Sequence, residues 1–567
     1  MNKKFLADFW RLFKGYWSSD EKWKARGLLG AVIVLNFAAV YILVLLNQWY
    51  NTFYTALQDY NYEAFWPLIG RFTLLAVVHI AIAVYAIYLR QMVEIKWRTW
   101  MTTRYLEHWM DKQTYYKLQI LDYDTDNPDQ RISEDINQFV SLTLQLALGF
   151  LKQTATLGAF VMILWNLSGI IRVPFGGYEF TIYGYMVWLS LIYAIAGTYL
   201  THRVGRELIH LNYDQQRYEA DFRFNMVRVR ENGESIAFYR GEEPEKTGFS
   251  ERFAKVIKNY WSLMRREKAL TWFTAGYGQL AIIFPLLFAA PRYFAKEMAL
   301  GGLMQTTSAF GRVQDALSFF VDAYTSVAQW LAVVKRLVGF TEHMQLVENV
   351  QSDLQFKKNG QVIAIEDLTV DLPSGQVLLK KCSFVLKQGD KLLITGASGC
   401  GKSTLMRTIA GIWPFGKGNI TIPLGTSRLF LPQRPYLPLG NLRTVLFYPE
   451  KNIAVSDHEI QNVLQLCQLG QLINRLDVVE DWSRILSLGE QQRIAFARVL
   501  LIRPDWTFLD EASSALDEAT EKIMYQLLAE NLPQMVMISI GHRDTLKQHH
   551  QTKLHLTGDG AFILGNI

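Results

Sequence analysis

Cysteine is scarce in this chain of 567 residues: there are three, Cys382, Cys400 and Cys467, all in the second half. Three scattered thiols supply neither a disulfide framework nor a zinc site, so reduced cytosolic thiols are the plain expectation. Charge is also modest, at 19% of residues with a net +6, while half of the residues are hydrophobic. A basic excess this small points to nucleic acid only if it is gathered in a patch, and its placement says otherwise. Residues 1–26 are not expected to be a cleavable leader. They intersperse basic side chains with Phe5, Leu6, Phe9, Trp10, Leu12, Phe13, Tyr16 and Trp17 at helical spacing, which reads as an amphipathic helix lying in a membrane interface.

Long apolar runs are present, and they stop near residue 340. Five of them, at 27–47, 68–89, 142–165, 182–200 and 271–290, are long enough to cross ~30 Å of hydrocarbon, which takes about 20 helical residues. A sixth, 301–334, carries Gln305, Thr306, Thr307, Ser308, Arg312, Gln314, Asp315 and Asp322, so its polar face should turn to the bundle or to a water-filled cavity. Segments 201–270 and 90–136 hold 14 and 7 Lys/Arg, against 0, 1 and 2 in the loops 49–65, 169–181 and 291–300. The basic loops and both termini are therefore expected in the cytoplasm, which accounts for the excess charge without a nucleic-acid partner. The long basic loops read as helical extensions reaching beyond the bilayer. In N-P-D-Q-R-I at 127–132, Asn127 is expected to cap a helix with Pro128 and Asp129 in its first turn.

The second half carries an ordered set of motifs. Short strands (362–365, 377–379, 383–386) and a buried one (391–395) lead into Gly396-x4-Gly401-Lys402-Ser403 and a helix to about 412. This strand–loop–helix setting lets backbone N–H groups approach phosphates, with Lys402 on the β/γ-phosphates and the Ser403 hydroxyl on Mg²⁺. Trp506–Leu509 is a strand ending in Asp510, which fits a Mg²⁺-holding role, and Glu511, which can reach an attacking water. Gln433 can offer a neutral oxygen to Mg²⁺ or water, and His542 follows the apolar strand 536–540. Leu486-Ser487-Leu488-Gly489-Glu490 precedes a helix whose start would attract an anion. In one subunit that helix end is an unused half-site. The spacing therefore predicts a homodimer in which two cassettes close over ATP.

Together the motifs resemble the nucleotide-binding domain of an ABC transporter, and the resemblance covers the whole chain. It implies nucleotide contacts at Gly396, Ser398, Gly399, Cys400, Gly401, Lys402, Ser403 and Thr404, and signature contacts at Ser487, Gly489 and Glu490. It further implies a D-loop contact at Asp517, a Q-loop at Gln433, Mg²⁺ held by Ser403, Gln433 and Asp510, a general base at Glu511 and a switch histidine at His542. The implied architecture is a half-transporter. Its membrane domain (1–340) has six transmembrane helices of the type IV exporter-like fold, joined by a linker (341–356) to an α/β P-loop cassette (357–567). ATP and Mg²⁺ are the expected cofactors.

Trp49-Tyr50-Asn51-x-Phe53-Tyr54, Lys96-Trp97-Arg98-Thr99, Gln216-Arg217-x-Glu219-Ala220 and 302–337 resemble the SbmA/BacA peptide-uptake proteins, and more closely their cassette-bearing YddA-like relatives. That implies a bacterial inner-membrane importer of antimicrobial peptides, bleomycin-like glycopeptides or cobalamin. The segments 127–130, 234–241 and 392–403 also resemble the ABCD fatty acyl-CoA transporters, which makes a lipid or acyl-CoA transporter the alternative. Two departures stand out. Leu488 and Glu490 replace the usual glycine and glutamine of the signature. Residues 366–383 hold no aromatic to stack on adenine.

Overall fold

The structure, a computed structural model, describes residues 3–121, 127–175, 178–348, 352–358, 362–450 and 454–567. Its contacts divide the chain into two compact units: Met1–Glu107 with Asp126–Thr341, and His108–Thr125 with Glu342–Ile567. Of the expected linker, residues 349–351 lie outside the described residues, as does the Asp322 side chain of the sixth run.

The first unit is helical. Helix α1 (Lys3–Trp17) repeats aromatics every four residues, so Phe5, Phe9, Phe13 and Trp17 share one face. Phe9 meets Trp330 edge-on at 4.9 Å between ring centroids, and Phe13 meets Trp97 at 5.5 Å. Two long helices follow, α2 (Lys22–Gln58) and α3 (Tyr62–Met110); the short α4 (Thr114–Ile120) comes next in the chain but belongs to the second unit. The chain resumes in α5 (Pro128–Gln130) and passes through a π-helical turn (Arg131–Asp135) into α6 (Ile136–Ser168). An antiparallel hairpin, β1 (Ile170–Phe175) and β2 (Tyr178–Tyr183), leads to α7 (Tyr185–Glu231), α8 (Gly233–Tyr239), α9 (Glu242–Phe294) and α10 (Leu300–Glu348).

Asn127 departs from the expected cap. Its backbone is left-handed (φ 47°, ψ 77°), and its side chain makes no capping hydrogen bond. The backbone instead closes the turn, the Asn127 carbonyl accepting from the Gln130 and Arg131 amides at 3.0 and 3.2 Å. Asparagine tolerates the left-handed region that most side chains avoid.

Among the described residues, four helical stretches are long and apolar enough to cross a membrane: Lys22–Gln58, Tyr62–Ile120, Pro128–Ser168 and Glu242–Phe294. Most of run 182–200 lies in α7, and run 301–334, with its polar side chains, lies in α10. Part of that polar set turns inward. Gln305 and Thr306 are buried, and the Gln305 amide exchanges hydrogen bonds with Asn47 (3.1 Å) and Asn51 (2.8 Å) of α2. The loop 201–270 is helical along most of its length. Helices α7 and α9 extend as its two arms, joined by the Asn259 amide, which donates to the Leu211 carbonyl at 2.8 Å and to Gln215 Oε1 at 2.9 Å.

The second unit contains two sheets. One orders β3 (Asp353–Lys358), β7 (Gly416–Ile422), β4 (Ile363–Asp371) and β5 (Val377–Leu386) as β3-β7-β4-β5. The strands read as 377–379 and 383–386 are one strand, because register shifts against β4 absorb the polar Lys380-Lys381 step. The other sheet runs β14-β13-β6-β12-β11-β8. Its members are β6 (Lys391–Gly396), β8 (Arg428–Leu431), β11 (Trp506–Asp510), β12 (Val536–Ile540), β13 (Thr552–Leu556) and β14 (Phe562–Asn566). All but the edge pair β13–β14 are parallel. A small ladder pairs β9 (Gly440–Asn441) with β10 (Val479–Glu480). The helices are α11 (Lys402–Ile409), α12 (Leu442–Phe447), α13 (Asp457–Leu466), α14 (Trp482–Ile485), α15 (Leu488–Ile502) and α16 (Glu518–Asn531). The middle of the first basic loop belongs to this unit too: Ile120 of α4 packs on the core that holds Leu392, Leu405 and Met406.

Candidate functional site: a nucleotide site at the carboxyl edge of a parallel sheet

Strands β6, β12, β11 and β8 are neighbours, and each of the strongest site residues follows the carboxyl end of one of them. Ligands in open α/β sheets bind at this edge. After β6, Gly396, Gly399 and Gly401 all have positive φ (147°, 81° and 99°). A β-carbon on Gly396 would sit 2.5 Å from the Leu556 carbonyl oxygen, so the loop closes only with glycine there. Cys400 is buried, with its sulfur near Gly396. Gly401 stands at the N-cap position of α11, so Lys402, Ser403 and Thr404 form the first turn, where free N–H groups and the helix dipole favour an anion. The Lys402 ammonium is buried and donates to the Gly396 and Ala397 carbonyls at 3.0 and 2.9 Å, folded into the loop that a phosphate would fill.

Ser403 donates to Asp510 Oδ1 at 3.0 Å, which joins the start of α11 to the end of β11. Burial pushes the Asp510 carboxyl up from its ordinary value, against the lowering hydrogen bond from Ser403. The Ser403 hydroxyl and the Asp510 carboxylate are hard oxygen donors of the kind that suits Mg²⁺. Next door, Glu511 has left-handed backbone (φ 48°), held by its amide donating to the Ile540 carbonyl of β12. Such strain in a non-glycine residue is kept where the surroundings impose it. Its two oxygens face different strands. Gln433, beyond β8, donates to Oε2 at 2.9 Å, and His542, beyond β12, lies 3.4 Å from Oε1.

The structure keeps the signature segment apart in bonding. Ser487 caps α15 in a reciprocal box with Glu490, its backbone amide donating to Glu490 Oε2 at 2.9 Å. Burial would raise the Glu490 carboxyl, but hydrogen bonds from Ser487 and Gln471 outweigh it and hold the group low. Gly489 packs against the Ala515 carbonyl. Among the described residues, no hydrogen bond or ion pair joins Ser487, Gly489 or Glu490 to the phosphate loop. Asp517 caps α16 through Thr520, with those hydrogen bonds lowering its carboxyl. The side chain of Ser398 makes no bond among the described residues.

Three residues absent from the sequence reading hold these pieces together. Gln492, fully buried on α15, donates to the Gln433 carbonyl (3.0 Å) and the Ser514 hydroxyl (3.1 Å), and accepts from the Ala515 amide. Arg498 donates to the Tyr436 and Val445 carbonyls, and burial pulls its guanidinium down to about 10. Arg543, beside His542, donates to the Leu516 and Ser514 carbonyls at 2.7 and 3.2 Å. The only sequence signal for them is proximity to a motif.

Comparison with known proteins agrees with this geometry. Residues 12–294 match the family described as ABC transporter transmembrane region 2, and residues 379–514 match the ABC transporter family. The inner membrane ABC transporter ATP-binding protein YddA of Escherichia coli is 34% identical over 95% of this chain and 96% of its own. The human lysosomal cobalamin transporter ABCD4 is 25% identical over 100% of this chain and 97% of its own. In fold, the chain resembles a bacterial Atm1-family ABC exporter solved with ATP bound, at a TM-score of 0.70 and 18% identity, covering 97% and 96% of the two chains. A helical membrane region and a P-loop cassette that binds ATP with Mg²⁺ thus share one polypeptide, and the chain belongs to the ABC transporter family, as a membrane half-transporter of the YddA and ABCD type that couples ATP hydrolysis to transport.

Proposed function

We propose that two copies of this chain form an ATP-driven importer of peptides or hydrophilic compounds in the bacterial inner membrane, with both termini and the cassette in the cytoplasm. The homodimer rests on one observation: among the described residues the helix start at Ser487 and Gly489 makes no bond to its own phosphate loop, so a partner's loop is its counterpart. The second basic loop supports the same reading. Its tip, α8, exposes Phe238 and Tyr239 at 79% and 85%, an apolar knob suited to the partner's cassette.

In this reading Lys402 leaves the Gly396 and Ala397 carbonyls for the phosphates, and Ser403, Asp510 and Gln433 hold Mg²⁺. The metal supplies charge neutralisation on the phosphates. Glu511 takes the proton of the attacking water, with Gln433 and His542 keeping its carboxylate oriented. Ser398, Gly399, Cys400, Gly401 and Thr404 complete the nucleotide cradle, and Ser487, Gly489, Glu490 and Asp517 complete the partner's site. Closure of the cassettes would move the α7–α9 arms and α4, which carry the motion to the membrane helices.

A hydrophilic cargo is supported by the human relative, a cobalamin transporter, and by the Asn47–Asn51–Gln305 amides inside the bundle. A lipid or fatty acyl-CoA cargo is the second reading. It is favoured by Lys152 and Arg312, which lie within apolar runs, make no ion pair among the described residues, and would attract a phosphate-bearing cargo. Proteoliposomes distinguish the two. ATP-dependent accumulation of labelled peptide or cobalamin supports the first; failure with both, together with acyl-CoA-stimulated hydrolysis, supports the second.

A further inference from the structure

The far end of α3 carries a polar groove that the ATP cycle does not use. Lys96, Trp100 and Arg104 recur every four residues, as do Thr99, Thr103 and Glu107, and the two adjacent rows share one helix face. Glu21, in the turn between α1 and α2, closes the groove around a cavity of about 380 Å³, within the ~300–1,000 Å³ typical of small-ligand sites. The Arg104 guanidinium lies over the Trp100 ring, 5.4 Å from its centroid. Two cations and two carboxylates thus line one space, yet among the described residues none of the four forms an ion pair.

The depth of the groove is marked by α1. The chain packs Gly15 against Trp100, where a β-carbon would come within 2.9 Å of the indole, and Tyr16 stacks on Trp97 at 6.0 Å. Helix α1 is amphipathic and exposes Trp10 at 58%, while Trp23 at the start of α2 is 74% exposed. Aromatic side chains placed so mark the headgroup level of a bilayer. Ile95, at the membrane-side end of the groove, is 55% exposed and offers an apolar surface toward the hydrocarbon.

We propose that this groove seats the headgroup of an aminophospholipid, its phosphate on Lys96 and Arg104 and its primary ammonium on Glu21 and Glu107. A purely anionic headgroup would set its charge against the two carboxylates, and a choline headgroup has no N–H to donate to them. The assignment to the cytoplasmic leaflet rests on the orientation proposed above, whereas the lipid chemistry does not.

The test is native mass spectrometry of the full chain, delipidated and titrated with phosphatidylethanolamine, phosphatidylcholine and phosphatidylglycerol of identical chains. Phosphatidylethanolamine is expected to bind about tenfold more tightly than either of the others, a difference that two charge-assisted contacts can supply. Glu21→Gln with Glu107→Gln should shift the preference to phosphatidylglycerol, and Lys96→Gln with Arg104→Gln should abolish it. A destabilised protein would not invert its selectivity, so the first pair separates recognition from damage. Equal binding of the three lipids, or unchanged preference in Glu21→Gln/Glu107→Gln, overturns the proposal. So does competition by soluble O-phosphoethanolamine at the same concentration as the lipid, which would assign the groove to a free solute. None of these outcomes bears on ATP turnover or cargo.

Discussion

Glu511 occupies a strained position because three strands converge on it: β11 carries it, β12 anchors its amide, and the segment after β8 supplies Gln433. Glu511→Gln keeps the shape and removes the proton acceptor. Phosphate release should fall by about 10²–10⁴-fold while the variant still retains ATP on a filter or by equilibrium dialysis. Normal turnover would refute its role as base. A second residue-scale prediction concerns His550, whose Nδ1 lies 2.7 Å from the Leu546 carbonyl and Nε2 2.8 Å from the Ser539 hydroxyl. A carbonyl only accepts, so Nδ1 carries a proton. Burial pulls this imidazole down to about 4 from 6.5. Between those values the unfolded chain binds the extra proton, so stability is full above about pH 6.5 and is lost as pH falls toward 4. The loss amounts to roughly 3 kcal/mol. The thermal transition of the cassette should follow that window, and His550→Gln should flatten it.

Among the elements, the π-helical turn Arg131–Asp135 ties the start of α6 to α10. Asp135 is almost fully buried and accepts from Arg131 at 2.8 Å and from Arg336 at 2.9 and 2.6 Å. Asp135→Asn takes the carboxylate from two guanidiniums, and losing one partner of a buried pair costs about 3–5 kcal/mol. Thermal unfolding in detergent should show it, and a shift near zero would mean that the turn is held by other contacts. Neither this cluster nor the left-handed Asn127 was legible in N-P-D-Q-R-I. A local motif signals that a helix begins, but the residue that Asp135 meets lies 201 positions away. The cassette strands were more legible, because alternation and glycine punctuation are local. Two strand bounds differ: β4 runs on past 365 to Asp371, and between 379 and 383 a bulge and not a gap accommodates the two lysines.

For the whole molecule, the separation of Ser487 from the phosphate loop makes a prediction that a single copy cannot satisfy. Lys402→Ala damages one half of each shared site, and Ser487→Ala damages the other. Each variant alone should hydrolyse little ATP. In a mixed dimer both defects fall in one site and leave the second intact, so co-expressed, doubly tagged dimers should recover ATPase activity. Absence of recovery in purified heterodimers would mean that each chain completes its own site.

The chemistry of the cassette was determined by sequence alone, because a phosphate loop, paired carboxylates at a strand end and a capped helix are short-range patterns that need only their own backbone. The presence of membrane runs was legible for the same reason, since apolarity over about 20 residues is a property of the segment itself. Tertiary structure decided what those pieces touch. It placed Gln433 and His542 on the two oxygens of Glu511, made Gln492 the buried link between Gln433 and Ser514–Ala515, and joined His108–Thr125 to the cassette unit. It also gathered Glu21 with Lys96, Arg104 and Glu107 in one groove. Such contacts join residues far apart in the chain, and only the packing of helices and sheet brings them within reach.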